Sequence, residues 1–289
     1  MSDDPIVFLN GDYLPISQAQ VSVLDRGFMF GDGVYEVIPA YTGKLFRIEE
    51  HLKRLDNSLS GIRITTAYSH QQWIELFTTL LAKRGLTGDS AVYLQITRGV
   101  QAKRDHSFPD DLTPTIFAMA SPLAPTTVSD GVDAITLDDI RWAYCHIKAI
   151  TLLPNALLRQ QAVDRGCNEA ILIKDGYATE GAASNLFIVD KEGTLLTPPK
   201  DHTVLPGVTR DLILELAAIH QLPYREAQIS EQTLFEAKEV WVTSSTKEIV
   251  PIVTLNQHTV GSGVPGPIWQ KMIAFFADYK EQIRRGEVQ

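Results

Sequence analysis

Apolar residues recur along this chain with two different periods, and the change from one to the other marks out its elements. In RIEEHLKRLDNSLSGI, Ile48, Leu52, Leu55, Leu59 and Ile62 step by four and three, the spacing of one helix face. Gln71 to Arg84 predicts a second helix, ended at Gly85. AVYLQITRGV and PTIFAMASPL predict strands, and IVFLN-GD-YLP predicts a hairpin turning at Gly11-Asp12.

The second half repeats the mixture. VDAITLDDI reads as a strand and Asn155 to Arg165 as a helix. EAILIKDGYATEGAASNLFIVD reads as a pair of strands around Gly176 and the Glu180–Gly181 region, and TLLTPP as a short strand. PGVTRDLILELAAIHQ is a helix opened by Pro and Gly, KEVWVTSSTKEIVPIVTLNQHTVG is β-rich, and an amphipathic helix runs from about Pro267 to Arg285. Between the halves lies SPLAPTTVSDG, rich in Pro, Ser and Thr, the best linker candidate. The expected division is therefore an N-terminal domain over 1–120, a linker over 121–131 and a C-terminal domain over 132–289. Strands and helices mix without strict βαβ alternation, so the expected class is α+β.

With 289 residues, 44% hydrophobic and 21% charged, the composition is that of a soluble globular protein. A net charge of -9 argues against nucleic acid or an anionic membrane as the main partner. The opening MSDDPIVFLNGDYLP starts acidic and lacks the basic and apolar regions of a signal peptide. No apolar run is long enough to span a bilayer. A cytoplasmic location is expected. Cys145 and Cys167 read as two free thiols, with no disulfide framework and no metal site.

One segment raises a chemical question. Between Arg141 and Arg159, WAYCHIKAITLLPNALL carries a single fully charged side chain, Lys148. Its apolar setting suggests burial. The ordinary explanation is a lysine that snorkels to the surface. The chemical one is a reactive amine, since burial disfavours the ammonium form and frees a lone pair for Schiff-base formation. Three later stretches bear on the choice. In LPGVTRD, the amides of Val208 and Thr209 would stand free at a helix start and suit an anion. In VTSSTKEI, four hydroxyl residues run from Thr243 to Thr246, fit for a turn or a phosphate cup. In YATEGAASNLFIV, Glu180 is either a surface turn residue or a carboxylate for a heterocyclic nitrogen.

In this order, the lysine, the glutamate, PGVTR and the hydroxyl run resemble the pyridoxal-phosphate aminotransferases of fold type IV. That group includes D-amino-acid transaminases, branched-chain aminotransferases and aminodeoxychorismate lyases. The resemblance covers nearly the whole chain. Its most specific pieces are DRGFMFGDGVYE, IKAITLLPN, TEGAASNLF and LPGVTRD. It implies a two-domain α+β fold and pyridoxal 5′-phosphate as cofactor. Lys148 would form the Schiff base and then carry the Cα proton. Glu180 would face the pyridine nitrogen, whose protonated form makes the ring an electron sink. Phosphate contacts would fall on Arg54, on the amides of Val208 and Thr209, and on Ser244 or Ser245, with Leu205 on the ring face. Without the resemblance, Arg54 reads as a plain surface arginine.

The resemblance also places substrate choice in the N-terminal half. Tyr35 matches the family's active-site tyrosine, and Val37 would face the same way on a strand. Arg104 to Pro109, RDHSFP, fits the R-x-H-x-F-P pattern of D-amino-acid transaminases. There the Arg and His, with the Tyr, bind the substrate α-carboxylate, which a guanidinium fork matches. Branched-chain relatives typically carry Arg where this chain has Pro39. The loop from Arg98 to Arg104 is one residue longer than is usual, and Ala182 and Ala183 stand where relatives often have serines. The implied activity is transamination between D-amino acids and 2-oxo acids by a homodimer. A branched-chain aminotransferase or aminodeoxychorismate lyase of the same fold, and a non-catalytic scaffold binding a phosphorylated ligand, are the alternatives.

Overall fold

The structure is a computed structural model and describes residues 4–109, 111–124 and 130–288. The chain forms two compact units. The first comprises Met1–Ala124, Ile147–Thr151 and Gln282–Gln289, and the second Pro125–His146 and Leu152–Glu281.

The N-terminal unit contains β1 (Ile6–Leu9), β2 (Asp12–Pro15), α1 (Arg26–Phe30), β3 (Gly33–Tyr41), β4 (Lys44–Leu45), α2 (Ile48–Gly61), α3 (His70–Lys83), β5 (Ser90–Thr97) and β6 (Thr115–Pro122). Its strands form one antiparallel sheet in the order β2-β1-β6-β5-β3-β4. The α2 stripe of Ile48, Leu52, Leu55 and Leu59 is buried with Val34, Ile38, Phe77 and Leu94 in one core. Ser69 and Gln72 close α3 with a reciprocal capping box. The hairpin turns one residue earlier than expected. Leu9 pairs with Asp12, so the two loop residues are Asn10 and Gly11. Both have positive φ, 50° and 106°, which a two-residue hairpin turn requires and Asn-Gly tolerates.

The C-terminal unit contains β7 (Val132–Asp138), α4 (Leu153–Asp164), β8 (Glu169–Lys174), β9 (Tyr177–Gly181), β10 (Asn185–Val189), β11 (Leu195–Thr197), α5 (Val208–Ile219), β12 (Tyr224–Glu226), β13 (Ile229–Ser230), α6 (Glu231–Phe235), β14 (Glu239–Ser244), β15 (Glu248–Leu255) and β16 (His258–Thr259). The last helix is α7 (Pro267–Arg285). The sheet runs β12-β11-β10-β14-β15-β7-β8-β9-β13, with β16 on β15. It is mixed, since β7 is parallel to both β8 and β15 while β14 is antiparallel to β10 and β15. The α+β class holds.

Four further expectations need correction. The span 169–189 holds three strands, not two, because the chain turns again where the Gly181 amide bonds the Ser184 carbonyl. The start of the stretch expected as a linker over 121–131 is still strand. Ser121 and Pro122 still pair with β5, and 125–129 lie outside the described residues. The stretch Ile147–Thr151 groups with the N-terminal unit rather than with 132–289. It runs along β3, where Ala149 bridges Val34, the Tyr35 amide bonds the Lys148 carbonyl at 3.0 Å and the Ile150 amide bonds Gly33 at 3.0 Å. Finally, the apolar segment around Lys148 is not uniformly buried. Cys145, Ile147 and Ala149 point inward, while Trp142, Tyr144, Leu153 and Leu157 are exposed. Leu153 and Leu157 lie one turn apart on α4 and share its exposed face.

Candidate active site

In the N-terminal unit, β3 positions the candidate residues. Its even positions Val34, Glu36, Ile38 and Ala40 are buried, and its odd positions Tyr35 and Val37 share the opposite, half-open face. The pairing of Lys148 with this strand brings its ammonium 4.1 Å from the centroid of the Tyr35 ring. The Lys148 amide also donates to Ser58 Oγ on α2, 3.1 Å away. Lysine and tyrosine are thus presented together, held by main-chain bonds on both sides of the lysine.

Beneath them lies a charged cluster the sequence did not announce. Glu36 is fully buried. Arg54 donates Nε to its Oε1 and Nη2 to its Oε2, both at 2.8 Å, and His51 Nδ1 meets Oε2 at 2.8 Å. Burial works to raise the Glu36 carboxyl, but the Arg54 guanidinium, with His51, holds it well below the usual carboxylate range. Burial lowers the His51 imidazole against the pull of Glu36. Its Nε2 is buried with no hydrogen-bond partner among the described residues. Arg54 is therefore a buried, oriented group and not a surface arginine. A carboxylate in the inward register of a strand, between Val34 and Ile38, was the signal that could have revealed this cluster.

Arg104 and His106 project from the loop after β5 and are exposed. They converge on Phe30, with the Arg104 guanidinium 5.0 Å from its ring centroid and the His106 ring at 5.3 Å. Their loop side chains are presented outward while their main chain is tied down.

In the C-terminal unit, Glu180 sits at the end of β9 and is buried. Its Oε1 accepts from Arg141 Nη1. Its Oε2 accepts from Asn185 Nδ2 at 3.0 Å and from the Leu205 amide at 3.1 Å. Burial pushes the Glu180 carboxyl up to about 7, opposed by Arg141 and the Leu205 amide. Arg141 is itself locked by Asp139, through Nε to Oδ1 at 2.8 Å and Nη2 to Oδ2 at 2.6 Å. Arg141, Asp139 and Asn185 were not singled out from sequence, because no periodicity distinguishes them.

Asn185 links the two stretches of this unit that the sequence offered for a phosphate, PGVTR and the hydroxyl run. Asn185 faces Thr243 across β10 and β14 and donates to the Leu205 carbonyl at 2.8 Å. Gly207 comes so close that a Cβ there would lie 1.9 Å from Asn185 Oδ1. This glycine starts α5 without a side-chain cap, which leaves the Val208 and Thr209 amides for another acceptor. The buried Thr243 hydroxyl has no partner among the described residues. Ser244 and Ser245 follow at the strand end, where Ser244 Oγ accepts from the Lys247 amide at 3.3 Å. A phosphorylated pyridine fits this donor set. An uncapped helix start and an orphan hydroxyl suit a phosphate. A carboxylate offers about four lone-pair sites, so Glu180 with three donors retains one for a ring N–H.

Among the described residues no helix is long and apolar enough to cross a membrane. Both cysteines are free.

The sequence matches the family Amino-transferase class IV over residues 33–255. It is 40% identical to the D-alanine aminotransferase of Bacillus licheniformis over 266 residues, 91% of this chain and 92% of that protein. It is 37% identical to the D-alanine aminotransferase of Staphylococcus haemolyticus over 278 residues, 95% of this chain and 98% of that one. Among solved structures, the branched-chain amino acid aminotransferase of Escherichia coli superposes with a TM-score of 0.88 at 29% identity, covering 95% of this chain and 94% of that one. With the family's span running from the first residue of β3 to the last of β15, the chain belongs to the class IV amino-transferases, enzymes that work with pyridoxal 5′-phosphate.

Proposed function

We propose that this enzyme transfers amino groups between D-amino acids and 2-oxo acids, with D-alanine and 2-oxoglutarate giving pyruvate and D-glutamate as its type reaction. The observation that carries this is the 40% identity to a D-alanine aminotransferase over nine-tenths of both chains, against 29% to the branched-chain fold relative. Pro39, where branched-chain relatives typically carry arginine, and the outward Arg104–His106 pair support the same assignment.

Bound pyridoxal phosphate supplies an aldehyde that captures the amino group and a ring that withdraws electrons from Cα. Lys148 would hold the cofactor and, with its amine free, would take the Cα proton on Nζ and pass it to the cofactor's aldehyde carbon, the shift that transamination requires. Tyr35, against the Lys148 ammonium, orients that amine. Glu180, held beside Arg141, would in its ionised form stabilise positive charge on the ring nitrogen. Arg54, the Val208 and Thr209 amides, and Ser244 or Ser245 would hold the phosphate, and Leu205 would line the ring. Tyr35, Arg104 and His106 hold the substrate carboxylate, with Val37 lining the side-chain pocket. The protein acts in the cytoplasm as a homodimer, in which the Arg104–His106 loop serves the neighbouring subunit. Exposed Val23, Leu24 and Phe28 in the N-terminal unit offer apolar surface for that contact.

Initial rates with both enantiomers of alanine, glutamate and leucine against 2-oxoglutarate test the proposal. D-alanine is expected to react far faster than L-alanine. A clear preference for L-leucine would move the enzyme to the branched-chain group. Borohydride reduction and peptide mapping test the lysine, and an adduct anywhere but Lys148 overturns that assignment.

A further inference from the structure

The loop that carries Arg104 and His106 has no regular structure, and its side chains from Ala102 to Phe108 are exposed. Its order has a different source. Arg26, the first residue of α1, is 2% exposed, and its guanidinium is spent on the loop's main chain. Nη1 donates to the Asp105 carbonyl at 2.7 Å, to the Ser107 carbonyl at 3.2 Å and to Gln101 Oε1, and Nη2 reaches the His106 carbonyl at 3.3 Å. Three consecutive carbonyls converge on one buried cation.

That cation is fixed from behind. Arg26 Nε donates to Asp32 Oδ2 at 2.8 Å. The same oxygen accepts from Arg98 Nε at 2.8 Å, and Asp32 Oδ1 from Arg98 Nη2 at 2.9 Å. Burial works to raise the Asp32 carboxyl, but Arg98 and Arg26 hold it below its ordinary value, so the hub stays charged. Arg98 in turn donates to the Ile62 and Arg63 carbonyls at 2.6 and 3.1 Å, just beyond α2, the helix that carries Arg54 and Ser58. The Arg98 guanidinium lies over the Phe108 ring, its carbon 3.6 Å from the ring centroid. Charge-assisted bonds of this kind are shorter and stronger than neutral ones, and here they tie an irregular loop to the rigid part of the unit.

We propose that Arg26, Asp32 and Arg98 form a clasp that positions the Arg104–His106 loop and thereby sets how tightly the substrate carboxylate is held. This rests on the assignment of Arg104 and His106 to the carboxylate. None of the three clasp residues needs to touch substrate. They act through the main chain of residues 105–107, so they are positioning residues. Misplacing a binding group by an ångström is enough to weaken an oriented contact severely.

The test uses the holoenzyme with Arg26→Lys. Lysine keeps the charge beside Asp32 but has no planar fork to span Gln101 and three carbonyls. The KM for D-alanine and for 2-oxoglutarate should rise about tenfold while kcat stays within about twofold, the pattern of lost uniform binding. Hydroxylamine, which has no carboxylate, should capture the cofactor at the wild-type rate. Trypsin should cut at Lys103 or Arg104 faster than in the wild type, because a released loop opens more often. Gln101→Ala, which removes one anchor from a surface loop, should show the same split more weakly and carries the test if Arg26→Lys does not fold. Arg104→Ala separates the two assignments. If it raises KM while both clasp variants leave KM unchanged, the clasp is wrong and the carboxylate assignment stands. If Arg104→Ala leaves KM unchanged, the carboxylate assignment fails and the clasp's role with it. A change in the hydroxylamine rate that parallels the change in KM would mean a general disturbance and would overturn the proposal.

Discussion

Arg141 and Glu180 form a buried ion pair in the C-terminal unit, with Nη1 on Oε1 and with Asp139 gripping the far side of the same guanidinium. Glu180 is thereby kept in one orientation, with Oε2 fixed by Asn185 and Leu205. In the proposed mechanism its charge, and not only its shape, acts on the ring nitrogen. Glu180→Gln keeps the shape and removes the charge. It should retain cofactor and lose roughly a hundredfold in transamination rate, since a positioned charge is commonly worth about 3 kcal/mol in the transition state. Steady-state rates on cofactor-loaded protein check this, and wild-type turnover would remove Glu180 from the mechanism.

Arg141→Met should move the pH profile. Burial already lifts the Glu180 carboxyl to about 7, and Arg141 is the largest influence holding it down. Without the guanidinium the carboxyl protonates at higher pH, so its charged form is lost sooner on acidification. The acid limb of kcat/KM should shift alkaline relative to wild type. A profile superimposable on wild type would show that Arg141 does not govern the charge of Glu180.

Arg54 and Glu36 make a stability prediction. Arg54→Ala leaves a buried carboxylate without its guanidinium, a change that commonly costs about 3–5 kcal/mol. The sign with pH follows from the depressed Glu36 value. Its contribution is fully present above the ordinary glutamate value of 4.5 and is lost as pH falls through the lower folded value. Denaturant midpoints of the wild type should therefore fall on acidification below that point. Glu36→Gln should show a flatter dependence over the same range.

Sequence and structure agree best where a pattern is periodic or a motif dense. The α2 stripe, the length of α7 and the shared face of Tyr35 and Val37 were legible, because each follows from a repeat of 3.6 or 2. The pairing of Glu36 with Arg54 was not, since nothing in a sequence says which buried charge meets which. Arg26 was also invisible as a clasp. Its partners are carbonyls, which every residue carries. The setting of Lys148 was misjudged because an apolar residue reads the same whether its own chain covers it or not. Trp142 and Tyr144 are apolar and exposed.

The remaining prediction concerns which subunit supplies the carboxylate grip. If the Arg104–His106 loop serves its own subunit, a protomer lacking Arg104 is crippled whatever it is paired with. If it serves the neighbour, the two defects separate. A Lys148→Ala protomer has no reactive lysine but an intact loop. An Arg104→Ala protomer has the lysine but no grip to offer. Each homodimer should be severely impaired. In a mixed dimer, the site built on the intact Lys148 would receive the intact loop of the Lys148→Ala protomer. One of its two sites is then complete. After random exchange of equal amounts, half of the dimers are mixed, so activity should recover to about one quarter of the wild-type level, as two-fold symmetry dictates. Mixing the two proteins under conditions that exchange subunits, then assaying D-alanine with 2-oxoglutarate, measures this directly. Activity that stays at the sum of the two impaired homodimers would place Arg104 in the site of its own chain, with the roles of Lys148 and Glu180 unchanged.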